Sequence, residues 1–196
     1  MKKVVLLFAA LLVAGCGEKS LSDSAIKKAL KEAVEYESLQ DRNDLYYQVN
    51  ESEPYSGWVK DMYDSGQAKG IGRFKDGKPD GPAITWYENG QKENETTFKD
   101  GEPDGLWTSW YENGQKDNET TFKDGKEDGP CTAWHENGQK KYEATFKDGK
   151  EDGPFTECHD NGQKAAEGTY KDGEGVSVKY WNSKGEEVET RQEAWK

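Results

Sequence analysis

The segment Trp86-Tyr87-Glu88-Asn89-Gly90-Gln91-Lys92 recurs along the chain at a period of 24 residues. Its later copies begin at Trp110, Trp134 and Cys158. Other columns keep the same step, namely Gly57, Gly81, Gly105, Gly129 and Gly153; Phe74, Phe98, Phe122, Phe146 and Tyr170; and Lys-Asp-Gly triplets beginning at Lys75, Lys99, Lys123, Lys147 and Lys171. Several columns that agree on one period predict a repeat array over residues 57–176.

Each repeat has the sequence pattern of a β-hairpin. A run rich in aromatic residues and threonine meets Asn89-Gly90 and is followed by a second run of the same kind, which is a strong hairpin signal. Because Asn and Gly both tolerate a positive φ, we expect a two-residue type I′ turn at this position. Trp86 would then lie opposite Glu93.

A longer connection between hairpins is expected over residues 76–81 and their copies. Pro79 and Pro103 lack a backbone donor, which suits such a loop better than a central strand. Side chains of a strand alternate between its two faces. One face is predicted to carry Tyr87, Thr85, Ala83 and Phe98, and the other Trp86 and Ile84.

The predicted fold is mostly β: an elongated, single-layer antiparallel meander of repeated hairpins, with roughly twelve strands spanning about 55 Å. The chain has a mean hydropathy of −1.15, and its seven Trp, ten Tyr and six Phe are concentrated in the repeats, where aromatic rings can cover a single-layer sheet. Residues 20–38 carry Ile26, Leu30 and Val34 at helical spacing. This N-terminal helix either covers the first edge of the sheet or forms a stalk.

The segments that flank the array are less regular. Residues 41–56 are predicted to form an irregular first hairpin, with a strand near residues 45–49. Residues 177–196 read as a degenerate terminal repeat and a charged tail. Terminal repeats are commonly atypical.

The repeat resembles the MORN family (membrane occupation and recognition nexus), and more closely its bacterial variant. The matching residues of one unit are Gly81, Tyr87, Gly90, Phe98 and Gly101. This resemblance implies a repeat sheet and extends over about two thirds of the chain. Members of the variant are often labelled antitoxin-like components of toxin–antitoxin systems. His135 and His159 depart from the Tyr column, and Cys158 departs from the Trp column.

The N-terminus has the pattern of a secretory signal. Lys2-Lys3 precede an apolar run over residues 4–13, which is too short to span a bilayer as a helix. The following Val13-Ala14-Gly15-Cys16 resembles the lipobox of bacterial lipoproteins, which implies that residues 1–15 are removed and that Cys16 is lipidated. Gly17, in place of Asp, favours an outer-membrane lipoprotein of the cell envelope. The alternative is an ordinary signal peptide with an incidental cysteine.

The chain is strongly acidic, with 39 acidic and 27 basic residues and a net charge of −12. Without residues 1–15, which contain Lys2 and Lys3, the net charge is −14. A surface of this sign repels phosphates and anionic lipid headgroups, so nucleic-acid binding is disfavoured. The membrane is therefore expected to be contacted through the lipid anchor and not through the sheet.

Catalytic and metal chemistry are not expected from the sequence. Cys131 and Cys158 should face opposite sides of the sheet, which argues against a disulfide. His135 and His159 should lie roughly 9.5 Å apart, too far to share one zinc ion. The chain has no Ser-His-Asp arrangement and no phosphate-binding loop. We therefore expect no enzyme activity, no cofactor and no metal.

The predicted function is that of a membrane-anchored, non-catalytic binding or scaffold module with a protein partner. The candidate binding residues are Trp86, Trp110 and Trp134, with Tyr87 and Tyr111 if the opposite face is used. These rings have a simpler alternative role, which is to cover the sheet. Two other functions stay open: binding of envelope glycans through the Trp column, and the antitoxin-like role that the resemblance implies.

Overall fold

The computed structural model describes residues 20–196, so the predicted signal segment and the lipidation site Cys16 lie outside the described residues. The helices are α1 (Asp23–Glu32), a 3₁₀ turn (Tyr36–Ser38) and α2 (Arg191–Ala194). The strands are β1 (Val34–Glu35), β2 (Leu39–Asp41), β3 (Tyr46–Gln48), β4 (Gly57–Met62), β5 (Ala68–Lys75), β6 (Lys78–Trp86), β7 (Lys92–Lys99), β8 (Glu102–Pro103), β9 (Gly105–Trp110), β10 (Lys116–Lys123), β11 (Lys126–Trp134), β12 (Lys140–Lys147), β13 (Lys150–Glu151), β14 (Gly153–Cys158), β15 (Lys164–Lys171), β16 (Glu174–Trp181) and β17 (Glu187–Val188).

One 15-stranded sheet contains β1 and β4 to β17, while β2 and β3 form a separate pair. Strands from β4 onward follow one another across the sheet and pair antiparallel, and β1 joins β4 in parallel. The short strands β8 and β13 pair with β7 and β12, beside β9 and β14. The predicted open meander of repeated hairpins is confirmed.

The tight turn of the array lies at Asp-Gly and not at Asn-Gly. Lys75 pairs directly with Lys78, and the two residues between them, Asp76 and Gly77, have φ angles of 50° and 81°. Two positive φ values in a two-residue loop define a type I′ turn, whose twist matches that of the strands. The prediction of a longer loop over residues 76–81 was therefore wrong. The prolines that were assigned to that loop lie in strands, where Pro79 pairs with Phe74 and Pro103 with Phe98.

The Asn-Gly connection is a three-residue loop. The Tyr87 amide donates to the Gln91 carbonyl at 2.9 Å, and the Gly90 amide donates to the Tyr87 carbonyl at 2.9 Å. Gly90 has a positive φ of 83°, whereas Asn89 does not. The Asn89 side chain instead accepts a hydrogen bond from the Gln91 amide at 2.9 Å, which stabilises the longer loop. The predicted two-residue type I′ turn was wrong here.

The longer loop is followed by a β-bulge. Trp86 pairs with Lys92 and Thr85 with Asn94, so Glu93 is an extra residue and does not lie opposite Trp86 as predicted. A bulge bends its strand and redirects side chains. The equivalent bulge residues in the other repeats are Lys69, Asp117, Lys141 and Ala165.

The strand register divides the side chains between two faces. We call the cleft face the one that carries Ala83, Trp107, Cys131 and Phe155, and the helix face the one that carries Ile84, Trp86, Trp110 and Trp134. Phe98 pairs with Gly81 and therefore lies on the cleft face. The predicted separation of Ala83 and Thr85 from Ile84 and Trp86 is confirmed.

Helix α1 packs on the helix face at the start of the sheet. Ser22 caps its N-terminus, and Ala29, 2% exposed, packs against Ile71 and Ile84. The surrounding apolar residues are Leu21, Ile26, Leu30, Ala33, Trp58 and Trp86. The helix is shorter than predicted because Ala33 is already extended and the next two residues pair as β1. The helix is therefore not a stalk, but it covers one face of the first strands and not the sheet edge as predicted, since β1 is what pairs with the edge strand β4.

The cleft face is covered at both ends. At the start, the β2–β3 pair brings Tyr46 edge-on to Phe74, with ring centroids 5.6 Å apart. At the other end, α2 buries Ala194, and Arg191 forms an ion pair with Glu157 at 3.2 Å. The middle repeats lie between these two caps. Neither helix in residues 20–196 has the length and apolar character needed to cross a lipid bilayer.

Gly129 and Gly90 both have a positive φ but differ in the space around them, which gives a testable prediction. Gly129 has a φ of 129°, and a Cβ placed on it would lie 3.1 Å from the Thr121 Cβ. Gly90 has a φ of 83° but open space around it. We expect Gly129→Ala to lower the free energy of unfolding by about 2–3 kcal/mol and Gly90→Ala by about 1 kcal/mol. Denaturant unfolding followed by tryptophan fluorescence measures both. Equal losses would contradict the close approach at Gly129.

Candidate functional site

The predicted Trp column lies on the helix face in two different environments. Trp86 packs against the α1 cluster. Trp110 and Trp134 are partly exposed, and each has a lysine from the preceding repeat over its ring. The Lys92 and Lys116 ammonium nitrogens lie 5.5 Å from the respective ring centroids. This distance is that of a cation–π contact.

The same lysines are paired with glutamates. Lys92 Nζ lies 2.5 Å from Glu95 Oε2, two residues after the bulge at Glu93. Residues three apart in a regular strand face opposite sides, but the extra bulge residue brings this pair onto one face. The pairing repeats as Lys116–Glu119, Lys140–Glu143 and Lys164–Glu167. The Trp column is therefore part of a continuous Trp–Lys–Glu ladder.

The predicted Tyr column joins each repeat to the next. The Tyr87 hydroxyl donates to the Trp110 carbonyl at 2.7 Å, and the Tyr111 hydroxyl donates to the Trp134 carbonyl at 2.7 Å. The histidines that replace tyrosine keep this contact, because His135 Nε2 and His159 Nε2 lie 3.0 and 2.9 Å from the equivalent carbonyls. The hydroxyls of the two candidate tyrosines are thus engaged within the sheet.

Two further sets of hydrogen bonds connect the repeats. At the Asn-Gly loops, the Asn89 side chain donates to the Glu112 carbonyl at 3.0 Å. At the Asp-Gly turns, the Gly101 amide donates to the Pro79 carbonyl at 2.8 Å. Both contacts recur in later repeats. Each repeat is therefore hydrogen-bonded to the next at both of its turns.

A cleft of about 400 Å³ lies on the cleft face, between the two covered ends. Its size is within the range of small-ligand pockets. Its lining combines aromatic rings with amides, hydroxyls and carboxylates, from Tyr87, Glu93, Asn94, Trp107, Ser109, Trp110, Asp117, Asn118, Thr120, Phe122 and Glu127. The lining includes the predicted residues Tyr87 and Trp110. The Trp110 side chain lies on the helix face, and its backbone carbonyl accepts from the Tyr87 hydroxyl. Trp86, Trp134 and Tyr111 are not among the lining residues.

Trp107 is the ring of the cleft that the sequence reasoning missed. It is partly exposed, and its indole nitrogen donates to Asn94 Oδ1 at 3.3 Å. Its ring centroid lies 6.5 Å from that of Phe98 and 5.9 Å from that of Phe122. The sequence does contain an indication of this residue, because Trp107 aligns at the 24-residue period with the smaller Ala83 and Cys131 of the neighbouring repeats.

Carboxylates on the cleft lining are held by neutral donors. Glu93 accepts from the Thr85 hydroxyl at 3.1 Å, and Asp117 accepts from the Ser109 hydroxyl at 3.2 Å. Burial and the nearby Glu151 carboxylate raise the pKa of Glu127. Burial and a hydrogen bond to Asp117 raise the pKa of Tyr111 to about 12. These shifts indicate a partly desolvated, negatively charged surface.

Within residues 20–196 no group of three metal-ligating side chains is placed to hold an ion. Cys131 is buried on the cleft face, where its sulfur accepts from the Thr120 hydroxyl at 3.2 Å. Cys158 occupies the Trp column and pairs with Lys164 across the hairpin. Both thiols are free and contribute to packing.

Together the hairpins and the connections between repeats define a β-hairpin repeat protein, and repeats of the MORN type suggest a binding or scaffold module. Four units, residues 79–100, 103–124, 127–148 and 151–172, match the family model described as the MORN repeat variant. The resemblance to MORN repeats is confirmed for these units, and repeat sheets of this kind are generally non-catalytic. A comparison with curated proteins finds no match to this chain.

The Tyr column gives the second testable prediction. Tyr111→Phe removes the hydrogen bond to the Trp134 carbonyl, and we expect a loss of about 1 kcal/mol of unfolding free energy. Tyr111→His should recover part of this loss, because histidine makes the equivalent contact at position 135. Tyr47→Phe is the control, since the Tyr47 hydroxyl has no hydrogen-bond partner in the described part of the chain. Equal stability of the Tyr111→Phe variant and the wild type in urea unfolding would contradict the role of the column.

Proposed function

We propose that this chain is a lipid-anchored, non-catalytic scaffold module that holds a protein partner against the cleft face of its sheet. The observation that carries this proposal is the cleft of about 400 Å³ between the two capped ends. Hydrogen bonds fix the backbone on both edges of the repeats that form it. A surface that is already ordered loses little conformational entropy when a partner binds.

The anchor is proposed from the sequence Val13-Ala14-Gly15-Cys16. Helix α1 begins at Asp23, seven residues after Cys16, so the chain between them reaches at most about 25 Å. Because α1 packs on the helix face, an acyl chain on Cys16 would hold that side of the module close to the membrane. The cleft face, on the other side of the sheet, would stay free for a partner in the cell envelope.

The Trp column is a weaker docking surface in this proposal than in the sequence-based prediction. Trp86 is packed under α1, and lysines already lie over Trp110 and Trp134. A sugar that stacked on these two rings would have to displace Lys92 and Lys116 from their glutamate partners. A protein partner on the cleft face requires no such displacement.

The proposal is tested by cell fractionation joined to site-specific crosslinking. A photoreactive benzoylphenylalanine replaces Phe122, which lines the cleft, or Leu106, which is 49% exposed on the helix face and serves as the matched control. We expect a protein adduct from position 122, none from position 106, and sedimentation of the wild type with the outer membrane. Cys16→Ser should release the protein from the membrane and reduce the adduct.

Two outcomes would contradict the proposal. An adduct from position 106 alone would place the partner on the helix face. Wild type and Cys16→Ser that are equally soluble in the cytoplasm would remove the lipid anchor, and an adduct with a toxin there would support the antitoxin-like role.

A further inference from the structure

The two faces of the sheet differ in how their carboxylates are neutralised. On the helix face, four successive glutamates each pair with a lysine of the same strand, and they are Glu95, Glu119, Glu143 and Glu167. The Lys92–Glu95 pair has partly buried side chains, 33% and 19% exposed. Negative charge on this face is therefore compensated within the chain.

The carboxylates of the cleft are not compensated in this way. Among residues 20–196, no lysine, arginine or histidine forms an ion pair with Glu93, Asp117 or Glu127. The lining of the cleft also contains no basic side chain. Burial and the nearby Glu151 carboxylate raise the pKa of Glu127, so this part of the lining is partly desolvated. A cation in the cleft would supply the opposite charge that the chain itself does not provide there.

These carboxylates appear where the repeats depart from one another. The bulge position is acidic only as Glu93 and Asp117, whereas the same position is Lys69, Lys141 or Ala165 in the other repeats. Folding of the repeat does not require an acid there, because repeats with lysine or alanine form the same bulge. The acidic pair is therefore a local feature of the cleft.

The aromatic part of the cleft coincides with the acidic part. Trp107 occupies a column in which the neighbouring repeats carry small residues, and its hydrogen bond to Asn94 fixes the orientation of the ring. Aromatic faces attract cations, most strongly the face of Trp. A flat cation that stacks on Trp107 and donates to the surrounding carboxylates would contact both the aromatic and the acidic residues of the cleft.

Resting on the proposed function, which places a protein partner on the cleft face, we propose that the cleft binds an arginine side chain of that partner. A guanidinium group is planar, stacks on aromatic rings and offers five donors to carboxylates. A lysine ammonium group is compact and strongly hydrated, so it uses the ring less well. The cleft volume of about 400 Å³ exceeds one side chain and accommodates the residues next to the arginine.

The test uses the purified full chain and three peptides of defined charge: hexa-arginine, hexa-lysine and hexa-glutamate. Binding is measured by isothermal titration calorimetry at two salt concentrations. We expect hexa-arginine to bind more tightly than hexa-lysine, and hexa-glutamate not to bind. The triple variant Glu93→Gln/Asp117→Asn/Glu127→Gln should weaken hexa-arginine binding about tenfold or more.

The matched control removes the same number of charges from the opposite face, as Glu95→Gln/Glu119→Gln/Glu143→Gln. It should change hexa-arginine binding by less than about threefold, since exposed charges at a distance act weakly and are screened by salt. If the cleft triple variant does not fold, the affinity of the Trp107→Phe variant for the same peptides provides a second test. It should weaken hexa-arginine binding about threefold to tenfold and hexa-lysine binding less.

Equal weakening by the two triple variants would overturn the proposal, because it would show attraction to the net charge alone. Equal affinities for hexa-arginine and hexa-lysine, both unchanged by Trp107→Phe, would overturn it as well. Hexa-arginine binding in the cleft without any adduct from position 122 in cells would support the arginine site and contradict the proposed protein docking. The two proposals therefore fail independently.

Discussion

The structure depends on the hydrogen bonds that connect each hairpin to the next at both rows of turns. Beside the Asn-Gly loops, a tyrosine or histidine reaches the backbone carbonyl of the following repeat, as Tyr87 reaches Trp110 at 2.7 Å. At the opposite ends of the strands, the glycine of each Asp-Gly turn donates to the preceding repeat, as Gly101 donates to Pro79 at 2.8 Å. The first contact is kept even where the last repeat is shortened, because His159 still reaches the Trp181 carbonyl at 2.9 Å, 22 residues further on.

Much of this fold is predictable from the sequence because the sequence shows both the repeat period and the alternation of side chains along each strand. The period identifies the repeats, and the alternation of side chains separates Ile84 and Trp86 from Ala83. The turns were not predictable in the same way, since Asn-Gly and Asp-Gly both favour a type I′ turn. The side chain of Asn89, which accepts from the Gln91 amide at 2.9 Å, decides for the three-residue loop, and the bulge at Glu93 follows. Local sequence does not reveal such a shift of register.

The candidate site was predicted less well than the fold, because the sequence analysis relied on residues that recur in every repeat. A search for columns selects what all repeats share, and shared residues such as Tyr111 and Trp134 are used to hold the repeats together. The cleft is instead built from exceptions: Trp107, which stands between the smaller Ala83 and Cys131 of the neighbouring repeats, and acidic residues at two bulge positions. Positions at which one repeat departs from the others without loss of the fold are thus the better guide to binding in an array of this kind.

The connection between repeats is tested most directly by native-state hydrogen exchange. The amides of Gly101, Gly125, Gly149 and Gly173 donate to the preceding repeat at 2.8–2.9 Å. We expect them to exchange on the order of a hundredfold or more slowly than the amide of Asn89 in the exposed loop, and at similar rates to one another. Exchange of these glycine amides as fast as that of Asn89 would show that the turns are not fixed to their neighbours, and it would contradict the account of one sheet held together repeat by repeat.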